Sequence, residues 1–246
     1  VQNKRAEQEG NRSDCLLLLV HDQTEEMMTA FQAEEVTKGQ AVYNRFTLEA
    51  YDAFVLGFSN HWLWRCPTVH LRELYQQQVT LSHLDVGVGT GYFLDRVRFA
   101  GAPRIGLMDL NPTTLAFCAE RLARYRPTLY ERNILEPIAF ADAKFDSIGM
   151  NFLLHCLPGD MTAKSVVFDH LKALLSPNGV LFGSTILQGD LPRNWGARRL
   201  MALYNRKGIF SNTQDTVKDL TAALKQRFSH VEIQVIGSVA IFTAKD

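Results

Sequence analysis

The sequence is short of cysteine, of net charge and of long apolar runs, and each shortage excludes something. Four cysteines stand at positions 15, 66, 118 and 156 of 246 residues. None forms a Cys-x-x-Cys pair and no cluster has zinc-ligand spacing, so no metal is indicated. A chain of this length needs no disulfide framework, and reduced thiols in a cytoplasmic protein are the expectation. Lys plus Arg number 26 and Asp plus Glu number 26, which leaves no net charge. That excludes a nucleic-acid binder driven mainly by phosphate neutralisation, though not a local basic patch. The longest clean apolar run, Leu16 to Val20, lies between Asp14 and His21. It is far too short to span a bilayer and has no small-residue cleavage site, so neither a membrane span nor a signal peptide is expected.

With 46% hydrophobic and 21% charged residues, the chain can bury a sizeable core and fits one α/β domain with a small appendage. Residues 1–23 begin with a polar stretch from Lys4 to Asp14 and read as a flexible extension. Residues 24–78 read as a helical lid or substrate segment. Phe46, Ala50, Phe54 and Phe58 recur every fourth residue along one helix face, with Tyr43 and Tyr51 adding to the aromatic content. Pro67 breaks the pattern, and Leu71, Leu74 and Tyr75 suggest another short helix after it. Trp62 and Trp64 cannot share one helix face, which leaves one able to point into a substrate pocket.

From 79 to 246 strands and helices alternate. Strands are expected at His83–Val86, Arg104–Asp109, Thr128–Tyr130, Phe145–Met150 and Val180–Ile186. A helix is expected over Thr90–Ala100, stopped by Gly101. Asn111-Pro112 reads as an N-cap with proline in the first turn. Further helices carry Val167, Leu171, Leu174 and Leu175, and later Val217, Leu220, Leu224 and Phe228. Ser176-Pro177-Asn178-Gly179 reads as the turn that ends the first of these. At the end, Val231, Ile233 and Val235 alternate with polar residues, and Gly237-Ser238 separates them from Val239–Thr243, a hairpin pattern.

The sharpest motif is Asp85-Val86-Gly87-Val88-Gly89-Thr90-Gly91 at the end of the first strand. Glycines there allow a tight turn and close approach of a ligand, and the N–H groups of the following helix start favour a polar or anionic group. The spacing is G-x-G-x-G, with Tyr92 where a pyrophosphate-binding loop has its third glycine. Asp109 ends the second strand, where an acid is placed to accept from ribose hydroxyls.

These residues, with Arg132-Asn133-Ile134-Leu135-Glu136-Pro137 and Phe145-Asp146-Ser147-Ile148 leading into Asn151, resemble the class I S-adenosylmethionine (SAM)-dependent methyltransferases over about residues 80–244. Tyr43-Asn44-Arg45-Phe46, Tyr51-Asp52 and the run from Ser59 to Thr68 are similar to small predicted methyltransferases of bacteria, prophages and fungal secondary-metabolite pathways. The resemblance implies a Rossmann-like α/β fold. Its seven-stranded, mostly parallel sheet would end in an antiparallel hairpin, with helices on both faces and an N-terminal helical lid. It implies that Asp85 reaches the amino group of SAM, that Gly87, Gly89, Thr90 and Gly91 form the loop around its methionine part, and that Asp109 binds ribose. Leu110 would lie against adenine. Asn133 would face the adenine amino group, where many relatives have Asp, and Ile134 would offer its backbone N–H. Asn151 and Phe152 would meet the amino-acid end, with Trp64 and Arg65 as partners for the carboxylate.

The expected chemistry is methyl transfer to oxygen, nitrogen or carbon of a small molecule. His155, just past the fourth strand, is the first candidate base, with His61 and Tyr51 behind it. Asn-Phe-Leu-Leu follows the fourth strand in place of the Asn/Asp-Pro-Pro-Tyr/Phe of enzymes that methylate exocyclic nitrogens. Arg198, Arg199, Arg206 and Lys207 could meet an acidic substrate or simply form a solvated helix face. The same fold could instead hold SAM for a non-methylating reaction such as a cyclisation, or serve as a binding module, and an RNA methyltransferase is disfavoured by the neutral charge.

Overall fold

The computed structural model describes residues 59–189, 191 and 193–246. The helical stripe Phe46, Ala50, Phe54 and Phe58 and the candidate base Tyr51 lie outside the described residues.

After a π-helical turn over 59–63, Pro67 precedes helix α1 (Thr68–Gln78). There follow β1 (Ser82–Val86), a single turn α2 (Tyr92–Asp95), β2 (Arg104–Asp109), α3 (Pro112–Arg121), β3 (Thr128–Glu131) and β4 (Phe145–Asn151). The second half holds α4 (Met161–Lys164), α5 (Val166–Leu174), β5 (Leu175–Ile186), α6 (Trp195–Arg206), α7 (Val217–Lys225), β6 (His230–Ile236) and β7 (Val239–Lys245).

The seven strands form one sheet in the order β3-β2-β1-β4-β5-β7-β6. Neighbours from β3 to β5 run parallel, and β7 pairs antiparallel with both β5 and β6. The Gly237-Ser238 pair closes the hairpin, with Ile236 opposite Val239 and Gly237 at φ +60°. Alternate strand residues feed two apolar clusters. Leu181 joins the one that carries α5 and α7, and Phe182 joins the one that carries α1, α3 and α6. The sheet is thus clad on both faces, as near-continuous apolar strands require.

Local chemistry explains most element ends. The Asn111 side chain accepts from the N–H groups of Thr113 (2.9 Å) and Thr114 (3.4 Å), and Pro112 fills the first turn. Two expectations need correction. The helix foreseen over Thr90–Ala100 is only Tyr92–Asp95. Arg96 and Val97 donate to Phe93 and Leu94, three residues back, which tightens and ends the helix. Val97 and Phe99 then turn into the apolar cluster, where Phe99 meets Tyr125 edge-on at 5.2 Å. The turn foreseen at Ser176–Gly179 does not separate α5 from the strand. Leu175 already pairs with Phe145, and the intervening residues form an irregularity inside β5, with Asn178 at φ +63°.

No helix among the described residues is long and apolar enough to cross a membrane. Cys66, Cys118 and Cys156 are free thiols.

Candidate active site

β1 and β4 are sheet neighbours, yet the chain leaves β1 toward β2 on one side and reaches β5 from β4 on the other. A crevice opens at the carboxyl ends of the strands at such a switch point. A cleft with about 1180 Å³ of empty space, its open mouth included, lies there. Asp85, Gly87, Gly89, Thr90, Gly91, Asp109, Leu110, Asn133, Ile134, Asn151 and Phe152 all line it. Strand register explains the convergence of the two acids. Asp85 stands beside Leu107 and Val86 beside Met108, so β1 and β2 run out together at the cleft floor.

The loop is built by its own backbone. Gly87 N–H donates to the Met108 carbonyl (2.8 Å) and Gly91 N–H to that of Val88 (2.9 Å). Gly91 sits at φ +72°, and a Cβ there would lie 2.7 Å from the buried Cys118 sulfur, so the loop packs flush on α3. Gly89 is also left-handed, but a Cβ on it would meet no protein atom within 4 Å and would stand in the cleft. The helix that follows is one turn long, so the dipole expected to draw an anion has little length behind it.

Of the described charged residues that line the cleft, Asp85 and Asp109 are enclosed and Arg132 is exposed. Asp85 is 4% exposed and accepts from the Tyr75 hydroxyl at 2.8 Å. Burial pushes its carboxyl up to about 7, against the pull of that hydrogen bond. Burial likewise raises Asp109 to about 6, although the N–H groups of Asn111, Val88 and Leu110 favour its anion. Ionised carboxylates held in this way suit a cationic ligand with hydroxyls. Asn151 adds an unmet donor. Its oxygen accepts from the Ser184 hydroxyl, while its buried Nδ2 has no partner. The set fits SAM: two acids for an ammonium and a ribose, an orphan amide donor for a carboxylate, and a backbone cradle open at Gly89.

Asn133 is brought into the lining with its amide already engaged, and the predicted residues Trp64, Arg65, His61 and His155 stay outside it. Asn133 lines the cleft, but its oxygen already accepts from Leu135 N–H (3.1 Å) and its Nδ2 donates to Glu136 (2.9 Å). Trp64 is buried beside Phe210 and does not line the cleft. Arg65 is exposed and lies against the hairpin at Gly237. Of the two tryptophans it is Trp62 that faces outward, 64% exposed, with His61 stacked edge-on to it. His155 is enclosed beneath the cleft lining. Its Nδ1 accepts from Ile186 N–H at 3.3 Å, its ring meets Phe210 edge-on at 4.4 Å, and burial lowers its pKa to about 3. Nδ1 is therefore engaged, and the ring stays neutral. Arg198 and Arg199 are exposed on α6, with Arg199 lying over Trp195 at 4.4 Å. The sequence reading missed Tyr75, whose spacing with Leu71 and Leu74 marks only a core face. It also missed the apolar lining of Tyr92, Phe93, Leu153 and Leu157.

Residues 84–181 match the family described as Methyltransferase domain. The chain is 38% identical to demethylluteothin O-methyltransferase of Streptomyces thioluteus over 212 residues, 86% of this chain and 92% of that protein. It belongs to the class I SAM-dependent methyltransferases. This methyltransferase is also 41% identical to the physcion biosynthesis cluster O-methyltransferase of Aspergillus chevalieri over 211 residues, 84% of this chain and 94% of that one. Its fold matches the N-methyltransferase NodS of Bradyrhizobium japonicum WM9, solved with S-adenosylhomocysteine, at a TM-score of 0.55 and 15% identity. That match covers 82% of this chain and 97% of NodS. The protein is an enzyme that uses SAM to methylate a small molecule.

Proposed function

We propose that the methyltransferase is a cytoplasmic O-methyltransferase of secondary metabolism. Its acceptor, in this reading, is a hydroxyl acidic enough to ionise unaided, a phenol or enol on an apolar molecule. One observation carries the acidity argument: the described cleft lining holds no histidine or lysine, and its carboxylates and its thiol are otherwise engaged. Asp85 and Asp109 are held by the hydrogen bonds above, and burial pushes the Cys156 thiol up to about 12. His155, the first candidate base, has Nδ1 engaged and is not in the lining. The apolar run Phe152, Leu153 and Leu157 beyond β4 suits a flat apolar acceptor. Two relatives named as O-methyltransferases, one of them in a biosynthesis cluster, support the oxygen and the pathway class. Free thiols at the described cysteines agree with a reducing compartment.

When bound, SAM would supply a sulfonium-activated methyl carbon for in-line attack by the acceptor oxygen anion, a C–O bond forming as the C–S bond breaks and its electron pair leaves on sulfur. The chain's part is alignment and exclusion of water. Asp85 would hold the amino-acid end of the cofactor and Asp109 its ribose, Asn133 and Ile134 would border its base, and the aromatic lining would keep the acceptor oxygen poorly solvated. Tyr75 already brings α1 to the cleft, which supports reading the 24–78 segment as the acceptor's cover.

A panel of acceptors read by mass spectrometry tests this. The product should gain one methyl on oxygen, and turnover at pH 7 should fall as the acceptor's own pKa rises above about 7. Preference for amines or aliphatic alcohols would overturn the proposal, and an unchanged product mass would point to non-methylating chemistry. His155→Ala should leave the shape of the pH–rate profile intact and lower the melting temperature by roughly 5–10 °C, since emptying a buried ring site costs about 2–4 kcal/mol. Loss of a limb of the profile would return His155 to the chemistry.

A further inference from the structure

Tyr75 lies outside the matched methyltransferase domain, on α1, yet its hydroxyl ends on the acid at the foot of the glycine loop. The ring is 2% exposed and held on three sides. Phe93 stacks on it at 5.3 Å, Phe182 meets it edge-on at 5.2 Å, and His83 meets it edge-on at 6.4 Å. The phenol therefore has one orientation, and that orientation delivers its proton to Asp85. The other groups around Asp85 cannot replace it. His83 Nε2 is 4.0 Å from the carboxylate and has no partner, and its Nδ1 is engaged with the Ser147 hydroxyl. Burial holds that imidazole neutral, at about 3. Cys118 on α3 stays a thiol, its pKa pushed well up by burial, and Asp109 on β2 repels the carboxylate. From β4 Gly149 approaches, with no side chain to offer.

We infer that Tyr75 is a positioning residue for the cofactor: its hydroxyl fixes the Asp85 carboxylate to receive the ammonium of SAM, so that an N-terminal helix sets the preference for the whole cofactor over its nucleoside fragment. The inference rests on the assignment of Asp85 to the amino-acid end of SAM. It predicts a selective defect. Methylthioadenosine keeps the nucleoside and the thioether but has no amino-acid end, so it does not meet Asp85.

Calorimetric titration of the full chain with S-adenosylhomocysteine and with methylthioadenosine tests it. Tyr75→Phe keeps the ring contacts and removes only the hydroxyl. It should weaken S-adenosylhomocysteine about tenfold and methylthioadenosine by less than about twofold, the size of one hydrogen bond to a charged group. In an Asp85→Asn background the same change should have no further effect, since the charge it serves is gone. The pH dependence should move as well. The Tyr75 hydrogen bond favours the Asp85 anion, so affinity for S-adenosylhomocysteine should rise with pH through about 7 and the midpoint should climb in Tyr75→Phe. Equal weakening of both ligands would make Tyr75 a packing residue and overturn the inference, as would an unmoved midpoint. Failure of the wild type to bind either ligand would overturn the cofactor assignment itself, a distinct result. Circular dichroism and a melting curve confirm that the variant is folded, and Tyr75→Leu, which loses ring and hydroxyl together, should weaken both ligands.

Discussion

Asp109→Ala is expected to weaken SAM and S-adenosylhomocysteine by more than about a hundredfold, because two hydrogen bonds from ribose to a carboxylate are each worth about 1.5–3 kcal/mol. The carboxylate is well placed for this. It ends β2, lines the cleft, and is oriented by the N–H of Asn111 at 2.9 Å together with those of Val88 and Leu110. Alanine would also leave those N–H groups without their acceptor and loosen the loop that carries Gly89. Titration calorimetry reads the loss directly, and unchanged affinity would remove Asp109 from the site. Methylthioadenosine should suffer as much as S-adenosylhomocysteine, since both carry the ribose. The sign of the pH effect follows from the raised pKa. Ribose hydroxyls donate to the ionised form, so binding strengthens as the pH rises through about 6 and fades below it.

Asp215→Ala is expected to cost about 3–5 kcal/mol and to lower the melting temperature by roughly 10 °C, the consequence of leaving a buried ammonium unpaired. Lys164 and Asp215 are both fully enclosed, with Nζ 2.6 Å from Oδ2, and Nζ also donates to the Ser211 carbonyl at 2.5 Å. The pair ties α4 to the chain that follows α6. Burial draws the Lys164 pKa down and pushes that of Asp215 up, while each charge opposes the shift of the other. Removing Asp215 leaves only the burial effect on Lys164. The pair is not fully satisfied, since Asp215 Oδ1 has no partner. Replacing both, as Lys164→Met with Asp215→Leu, should therefore cost less than Asp215→Ala alone. Neither residue lines the cleft, so the folded fraction should bind S-adenosylhomocysteine normally. A melting temperature within about 2 °C of wild type would show that the loop relaxes enough to hydrate the lysine.

Much of the fold could be read along the chain. The apolar strands, the Asn111-Pro112 cap and the Gly237-Ser238 hairpin are local signals, and each lies where its chemistry puts it. The misread elements are those where tertiary packing outweighs local preference. Residues 90–100 have a helical pattern, yet Val97 and Phe99 gain more by entering the apolar cluster beside Tyr125 than by continuing the helix. Ser176–Gly179 has turn composition, yet pairing of Leu175 with Phe145 draws it into the sheet.

The candidate site divides the same way. Asp85, Asp109 and the three glycines could be named from the chain alone, because β1 and β2 pair in parallel and so deliver their carboxyl ends to one edge of the sheet. The fates of His155, Trp62, Trp64 and Tyr75 could not. Periodicity says which face of an element is buried but not which neighbour covers it. Only the assembled sheet seals His155 behind Ile186, turns Trp64 inward onto Phe210 and leaves Trp62 outside. The same packing carries Tyr75 from α1 to a carboxylate ten residues along the chain.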